Sequence, residues 1–476
     1  MTTINRRTVL KGAAAAGVAA FAGPFSGFIT NPTALAKPDF RNLRAIPDLR
    51  DGVVRLHLPE GFQYRSFHDT AAGAIFLDDG TRLPGRHDGM AAFAGPNGNV
   101  ILVRNHEING PGAPFGDATQ AYDAQGRGGT TTVEVTKFGE VVHAFTSLNG
   151  TLNNCAGGRT PWNSWITCEE TVNGPDVGAD FTGVSNAPLT RRHGFIYEVP
   201  AGGQSNREPI TAAGRFAHEA IAVDPATGHI YMTEDNFGYP SGFYRFIPDE
   251  NPMETGHLAN AGQLQMLAVR GQPNANLAAS QRKRATYQVE WVDIDDPNPT
   301  FPIPVTTTND QALNYVGDQG RAQGAAYFSR LEGAYHDDGV IYFTSTQGGG
   351  AAEGPDTVNG FGNGSGQVWA YRIDEQVLQL IYESPGPAVL DLPDNITVSQ
   401  SGTLIVCEDG LNDNYIRGLN PGGQLWDIAL NRLANRTGDE FAGATFSPDG
   451  HTLFVNIQAS RGLSFAIWGP WDAIGL

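Results

Sequence analysis

The sequence predicts an all-β fold: a single β-propeller of about six blades with inserted loops. Three observations lead to this prediction. Short apolar and aromatic runs recur along the chain, each opened by a turn residue. No long amphipathic helical pattern occurs beyond residue 40. Glycine, the commonest turn residue, makes up 60 of the 476 residues.

The recurring runs predict antiparallel strands, because each combines a Gly, Asp or Asn turn with alternating β-branched or aromatic residues. Repeated units of a turn followed by a strand are typical of propeller blades. Residues 250–310 lose this pattern and gain Pro, Asn and Gln, so we expect an inserted loop region there. The clearest runs begin at His193, Gly228, Ser241, Gly339, Gly366, Gly402 and Gly450.

The charge balance argues against a nucleic-acid partner. Lys and Arg together number 31 and Asp and Glu 50, which gives a formal net charge of −19. Nucleic-acid backbones are bound mainly by Lys and Arg, so this composition excludes that class of function. The surplus acids either form a solvated surface or gather around bound cations.

The N-terminus is predicted to be an export signal. Paired Arg6 and Arg7 precede an apolar, alanine-rich run, and an Ala-Leu-Ala cleavage site ends at Ala36. We therefore predict a twin-arginine signal peptide over residues 1–36 and a mature propeller over residues 37–476. The twin-arginine translocation machinery would deliver the mature protein to the periplasm or the medium. Because the apolar run is short and interrupted by Gly and Pro, no stable membrane span is expected.

Many acidic residues stand at the ends of apolar strands, beside Gly, Asn or His. In a propeller the strand ends at one mouth converge on the central channel, so these carboxylates are expected to meet around one axis. Crowded acids repel one another unless cations lie between them, and oxygen-rich clusters suit calcium. The clusters occupy residues 105–107, 167–170, 218–219, 234–236, 330–332, 393–395 and 407–409.

Other chemistries lack their motifs. The chain has no H-E-x-x-H zinc-protease motif, no G-x-S-x-G nucleophile elbow and no phosphate-binding P-loop. Its three cysteines, Cys155, Cys168 and Cys407, include no C-x-x-C pair, so a structural zinc site is not expected. A Cys155–Cys168 disulfide, an inert buried thiol and a soft metal ligand all remain open.

Several motifs resemble those of the PhoX alkaline phosphatase family, over essentially the whole mature chain. The most specific is Asn-Cys-Ala-Gly-Gly from Asn154, with Cys-Glu-Glu from Cys168, 13 residues after Cys155. Further motifs that resemble the family begin at Asn105, Arg330, Pro393, Cys407 and Glu440.

This resemblance implies a propeller that holds calcium and iron in its channel and hydrolyses phosphate monoesters. We expect the protein to be a monomer that serves phosphate scavenging. Cys155 matches the family's thiolate ligand to iron, and Arg330 matches its phosphate-binding arginine. A lysine that some members place near the substrate is missing, and Arg159 is a candidate replacement. The family's metal-binding carboxylates are matched by Glu169, Glu219, Glu332, Asp394, Glu408 and Asp409.

The charge of the mature chain agrees with a metal-dependent phosphatase. The signal region carries three basic and no acidic residues, so the remainder has a net charge of −22 and needs bound cations to attract a phosphate dianion. Such metals would polarise the phosphoryl oxygens and deliver an oxygen nucleophile.

Two alternatives remain: a calcium-propeller phosphotriesterase or lactonase, and a non-catalytic secreted propeller. Neither alternative needs a thiolate among carboxylates or an arginine beside a ligand, so Cys155 and Arg330 distinguish the phosphatase from both.

Overall fold

The computed structural model describes residues 42–351 and 361–476. These residues form 26 strands and one α-helix, which confirms the predicted all-β class. The predicted signal peptide, residues 1–36, lies outside the described residues. No helix in the described part of the chain is both long and apolar enough to span a membrane.

The first half of the strands runs from residue 44 to residue 248. They are β1 Arg44–Pro47, β2 Val54–Leu58, β3 Gln63–Phe67, β4 His87–Ala94, β5 Val100–His106, β6 Gly128–Val135, β7 Val141–Thr151, β8 Asn154–Arg159, β9 Ser164–Glu169, β10 Ile196–Pro200, β11 His218–Val223, β12 Ile230–Glu234 and β13 Phe243–Pro248.

The second half follows from residue 262 to residue 468. These strands are β14 Gly262–Val269, β15 Thr286–Asp293, β16 Leu331–Asp337, β17 Val340–Ser345, β18 Gln367–Arg372, β19 Val377–Glu383, β20 Pro393–Val398, β21 Leu404–Glu408, β22 Tyr415–Leu419, β23 Leu425–Asn431, β24 Phe441–Phe446, β25 Thr452–Ile457 and β26 Leu463–Trp468. The α-helix, α1, covers Asn309–Ala322.

The strands form five antiparallel sheets around a common channel. Two sheets have four strands, β4-β5-β6-β7 and β24-β25-β26-β3, and one has three, β8-β9-β10. A six-stranded sheet runs β20-β21-β22-β23-β2-β1. A nine-stranded sheet joins the meander β11 to β15 to the meander β16 to β19 through the β15–β19 pair. Strand β3, from the N-terminal region, pairs with β26 near the C-terminus and completes the last sheet.

Six strands line the channel and contact one another in a closed ring. In order these are β4, β8, β11, β16, β20 and β24, and β24 contacts β4 again. Each is the first strand of an up-and-down meander, so all six run in the same direction along the channel. This arrangement is propeller-like, as the recurring turn-and-strand units predicted.

Every channel-lining strand carries a β-bulge in which two of its residues face one residue of the next strand. In β4, for example, Asp88 and Gly89 lie between the paired residues His87 and Met90. The other bulges hold Cys155-Ala156, Glu219-Ala220, Glu332-Gly333, Asp394-Asn395 and Gly443-Ala444. A bulge re-aims the side chain that it contains, so five equivalent side chains, with Gly443 at the sixth position, are turned at one level of the channel.

The bulges need small residues because neighbouring strands approach closely. A Cβ atom on Gly89 would lie 2.5 Å from Cα of Ala156, and one on Gly333 would lie 2.6 Å from the backbone nitrogen of Ile396. Side chains also fix the bulges: Thr233 and Thr344 donate hydrogen bonds to the bulge carbonyls of the next strand in the ring. The level of the bulges is thus fixed by contacts between adjacent sheets.

Apolar side chains fill the spaces between adjacent sheets. Leu56, Ile405 and Ile416 from the six-stranded sheet pack with Phe441 and Phe465 from the sheet that β3 completes. Similar clusters lie between the other sheets. Because these clusters bury the channel-lining strands, the packing of the sheets holds the channel lining rigidly.

The predicted loop region over residues 250–310 is only partly a loop. It contains β14 and β15, which extend their sheet, and residues 294–308 then lead into α1. The helix begins with a capping box, in which Thr308 and Gln311 bond each other's backbone N–H groups. The flanking Pro and Asn residues masked these elements in the sequence pattern.

Candidate metal centre

The six bulges form the inner ring of the site, one residue from each channel-lining strand: Asp88, Cys155, Glu219, Glu332, Asp394 and Gly443. Four of the six are acids, and all four are buried. A ring residue is followed in every case by Gly, Ala or Asn, as the tight approach of the strands requires. Distant acidic residues are therefore brought together by one repeated backbone feature.

A second set of equivalent residues, the outer ring, follows the strand that pairs with each channel-lining strand. Its members are Glu107, Glu170, Asp235, Thr346, Asp409 and Gln458. Each donates its backbone N–H to the carbonyl of a residue just before the channel-lining strand, at 2.9–3.3 Å. We call those six acceptors the mouth positions: Arg86, Asn153, Ala217, Arg330, Leu392 and Glu440.

Two groups of ligand atoms are close enough to share metal ions. The Cys155 Sγ atom and carboxylate oxygens of Glu170 and Glu219 lie within 4.8 Å of one another. Oxygens of Glu219, Glu332 and Asp394 lie within the same distance of one another. Because Glu219 belongs to both groups, it would contribute a ligand to each.

Burial and mutual repulsion together raise the pKa values of these carboxyls. Burial raises the pKa of Glu219 well above its usual range, and repulsion from Glu170, Asp394 and Asp88 raises it further. Burial and repulsion from Asp235 and Glu219 act in the same way on Glu332. The pKa of Asp394 is raised to about 7, by burial first and then by Asp409. Such a cluster is fully ionised at neutral pH only if cations lie within it.

Cys155 completes a donor set that favours more than one kind of metal. Burial and the nearby Glu219 raise the pKa of its thiol well above the usual range, so the thiol is protonated without a metal. A bound cation would be needed to stabilise the thiolate. Carboxylate oxygens suit calcium, whereas a thiolate suits a softer transition metal, so the residues fit both calcium and iron.

Arg330 lies at the edge of this cluster. Its Nη2 atom donates to Asp235 at 2.7 Å and to Glu332 at 2.8 Å, and its Nε atom donates to both oxygens of Asp235 at 3.1 Å. The guanidinium group also lies over the ring of Phe237, at 5.3 Å from its centroid. The arginine is thus held in one orientation between the inner and outer rings.

Glu169, a predicted ligand, is not brought to the cluster. Its carboxylate accepts hydrogen bonds from His193 Nδ1 at 2.6 Å and from the backbone N–H groups of Leu152, Gly194 and Phe195. Its neighbour Glu170 reaches Cys155 instead. Consecutive residues of a strand point to opposite faces, so a shift of one position exchanges a buried structural acid for a ligand.

The same exchange occurs at the next predicted pair. Glu408 binds Arg417 Nε at 2.9 Å and accepts the backbone N–H groups of Asp391 and Tyr415, so its carboxylate stays within its own sheet. Asp409 occupies the outer ring and raises the pKa of Asp394. Of the predicted ligands, the structure thus gathers Cys155, Glu219, Glu332, Asp394 and Asp409, and it separates Glu169 and Glu408.

Sequence reasoning missed several acids that belong to the cluster. Asp88 stood outside the acid clusters noted in the sequence, although it is followed by a glycine like Glu332. Glu107, Glu170 and Asp235 lay in noted clusters but were not selected as ligands. Glu440 lies half-buried beside Asp409, and the pKa of its carboxyl is raised well above the usual range by desolvation and by that neighbour. An acid followed by a small residue at the start of a strand is the signal that could have found Asp88.

The channel continues beyond the bulges as a cavity of about 530 Å³. Its lining comes from residues that follow the bulges, including Gly158, Arg159, Val223 and Thr397. Arg159, the candidate replacement for a substrate-side lysine, ends β8 and lies over the ring of Phe93. It therefore lines the end of the channel opposite the mouth positions.

The metal-free protein is expected to lose stability as the pH rises from about 5 to about 8. Raised pKa values mean that the cluster carboxyls keep protons in the folded state that the unfolded chain, with pKa values of about 4, has already released. Folding then becomes less favourable through this window. Thermal unfolding of chelator-treated protein should show the higher midpoint at pH 5. Equal midpoints at both pH values would contradict the repulsion that we describe.

Replacing Glu169 or Glu170 with glutamine should have opposite effects on metal binding and stability. Glu170→Gln is expected to weaken metal binding by more than about 10-fold and to leave the fold intact. Glu169→Gln removes a partner of buried His193, whose pKa is about 9 because Glu169 and Asp123 outweigh the effect of burial. That variant should lose roughly 3 kcal/mol of stability and keep its metal. Metal content and unfolding midpoints of both variants check the assignment, and the reverse pattern would refute it.

The family described as Alkaline phosphatase PhoX matches residues 41–145 and 139–460. No curated protein matches the chain.

Among solved structures, the chain is similar to Pseudomonas fluorescens PhoX in complex with vanadate, a transition state analogue. The TM-score is 0.62 at 18% identity, and the alignment covers 92% of this chain and 99% of that one. A gluconolactonase from Xanthomonas campestris gives a TM-score of 0.38 at 13% identity, over 90% of this chain and 98% of that one. The similarity to the Pseudomonas structure shows that the two chains share a fold.

Proposed function

The chain belongs to the PhoX family of alkaline phosphatases, and from this premise we propose that its acidic channel is the catalytic site of an exported, metal-dependent phosphatase. The family activity is the hydrolysis of phosphate monoesters. One observation carries the location of the site: Glu219 belongs to two ligand groups, one of which contains a thiol. A lactonase or a calcium-stiffened scaffold has no need of that thiol or of Arg330 beside it.

We infer that the channel holds both calcium and iron. Cys155, Glu170 and Glu219 would hold the softer metal, because this group includes the thiol. Glu219, Glu332 and Asp394 would hold an adjacent cation, and the remaining acids of both rings would serve calcium. When bound, such cations supply Lewis acidity and positive charge for phosphoryl transfer.

Arg330 would bind the transferred phosphoryl group. Its guanidinium is oriented by Asp235 and lies against Glu332, so it faces the place where a phosphate would meet the inner ring. A guanidinium donates two parallel hydrogen bonds to phosphate oxygens, and these strengthen as charge moves in the transition state. The cluster acids would repel the substrate, and the arginine together with bound cations offsets that repulsion.

The test of this proposal is an assay of the purified, metal-replete protein on p-nitrophenyl phosphate, with and without a chelator. Hydrolysis that is lost with the chelator and restored by added calcium and iron supports the proposal. Metal analysis before chelation identifies the ions. Absence of hydrolysis by metal-replete protein would end the phosphatase proposal, and calcium without iron would end the assignment to Cys155.

Replacement of Arg330 by alanine is expected to lower kcat/KM for p-nitrophenyl phosphate by about 10²- to 10³-fold. Inhibition by inorganic phosphate should weaken in parallel, because both depend on the same hydrogen bonds. Metal content should stay close to that of the wild type, since the ligand groups remain. Arg330→Lys keeps the charge but not the paired donors, so its kcat/KM should lie between those of the wild type and Arg330→Ala. Unchanged kinetics in Arg330→Ala would remove this residue from the site.

The finer features of the fold and its export belong to the same proposal. The ring of six channel-lining strands supports six blades, with the nine-stranded sheet counted as two joined blades. Residues 1–36 would be the twin-arginine signal and residues 37–476 the mature enzyme, exported for phosphate scavenging in the periplasm or medium. We propose that it acts as a monomer, because all ligands of both groups come from one chain.

A further inference from the structure

The six mouth positions share the same backbone hydrogen bond to the outer ring, and two of them are arginines. Arg86 and Arg330 each precede a channel-lining strand by one residue, and each has a φ of 48°. The carbonyl of each accepts a backbone hydrogen bond from the outer ring, at 3.0 and 2.9 Å. Non-glycine residues rarely adopt such a φ, and two further mouth positions, Asn153 and Leu392, share it at 48° and 49°. Arg86 therefore occupies in β4 the place that Arg330 occupies in β16.

The two arginines face each other across the mouth of the channel. In the ring of channel-lining strands, β4 and β16 are separated by two strands on either side, so they lie opposite each other. The other mouth positions carry Asn153, Ala217, Leu392 and Glu440. Among these six positions, positive charge is thus confined to two opposite sides of an otherwise acidic opening.

Arg86 lies further out than Arg330. Its side chain is 47% exposed, compared with 15% for Arg330. Its Nη1 atom donates to Glu107 at 3.0 Å and to Gln458 at 3.3 Å, and Gln458 in turn donates to Asp88 of the inner ring at 3.1 Å. The guanidinium group is therefore tied to the site through one nitrogen, while nearly half of the side chain is exposed.

We propose that Arg86 binds a second phosphate group, one that lies in the leaving group of the substrate. This inference rests on the proposed function, in which Arg330 binds the phosphoryl group that is transferred. In this proposal a substrate held at Arg330 extends its leaving group towards the more exposed part of the mouth, where Arg86 lies. The site would thereby favour phosphoanhydrides such as nucleoside diphosphates over monoesters with a neutral leaving group.

ADP and AMP form a matched pair of substrates for this proposal. In each reaction water adds to the terminal phosphorus, the bond from that phosphorus to the leaving-group oxygen breaks, and orthophosphate is released. ADP releases AMP, which carries a phosphate, and AMP releases neutral adenosine. The measured quantity is the ratio of kcat/KM for ADP to kcat/KM for AMP, taken from initial rates.

Arg86→Gln in the full-length, metal-replete enzyme is expected to lower this ratio by about 10- to 100-fold, which is the effect of losing a charge-assisted hydrogen bond. Arg86→Lys, which keeps the positive charge, should recover part of the lost preference for ADP over AMP. Arg44→Gln is the control, because Arg44 lies on the outermost strand β1 and forms an ion pair with Glu60, so the same charge is lost far from the channel. That control should keep the wild-type ratio.

Two results would overturn the proposal. A ratio that stays within threefold of the wild type in Arg86→Gln would show that the guanidinium does not contact the leaving group. An equal fall for both substrates, with loss of bound metal, would show that Arg86 only positions Glu107. If the wild-type enzyme hydrolyses neither AMP nor p-nitrophenyl phosphate, the proposed function fails instead, so the two failures are distinguishable.

Discussion

Replacing Glu219 with glutamine is expected to lower phosphatase activity by well over 100-fold while making the metal-free protein more stable. Loss of a residue that only positions a metal ligand typically lowers activity about 10- to 100-fold. Glu219 belongs to both ligand groups, so its loss should have a larger effect. An amide is a weaker ligand than a carboxylate and carries no charge. The same change removes one of several mutually repelling acids, so unfolding of the chelator-treated variant should need a higher temperature at pH 8.

These opposite signs separate a loss of ligand from a loss of fold. Glu234→Gln is the matched control, because Glu234 is equally buried in the partner strand but bonds Gly242 and Tyr244 within its own sheet. That control should retain metal and activity. If Glu219→Gln kept its activity, or if its metal-free form were less stable than the wild type, Glu219 would not be the shared ligand.

Replacing Cys155 with serine is expected to remove one metal selectively. The substitution nearly preserves the size of the side chain, but a hydroxyl is a harder and far weaker ligand than a thiolate. We expect iron to be lost, calcium to be retained, and activity to fall by more than about 100-fold. Elemental analysis and an assay on p-nitrophenyl phosphate measure these outcomes in one preparation.

Cys168→Ser and Cys407→Ser are the controls for that experiment. Both thiols are buried, and they lie opposite the bulges rather than within them. Their loss should cost some stability and leave the metal content unchanged. A Cys155→Ser enzyme that retained iron and activity would make Cys155 a packing residue.

The fold class could be predicted because it depends on local pattern. A turn followed by alternating apolar residues is visible in each strand, and it recurs often enough to indicate a propeller. Strands β14 and β15 were hidden because Pro, Asn and Gln surround them, and their pairing is set by neighbours in the sheet. Helix α1 was overlooked although Thr308 and Gln311 form a recognisable start signal.

The site could be predicted only to within one residue at several positions. Cys155, Glu219, Glu332 and Asp394 were selected, and all four lie in bulges that face the channel. Where two acids were adjacent, as at 169–170 and 408–409, sequence alone could not decide which faces the channel. That choice depends on where each strand ends and on the bulge beside it, and both are fixed by contacts with the next sheet.

The pairing of β3 with β26 has a consequence for the order in which the protein can be made. Residues 63–67 leave the ribosome tens of seconds before residues 463–468, at the usual rate of about 5–20 residues per second. Until the last strand appears, β3 is an unpaired edge and the circle of sheets is open. The ligands of the channel can therefore reach their final places only once synthesis is complete. A chain truncated before residue 463 would leave β25 and β3 as unpaired edge strands, which can pair with other chains, and it should therefore aggregate.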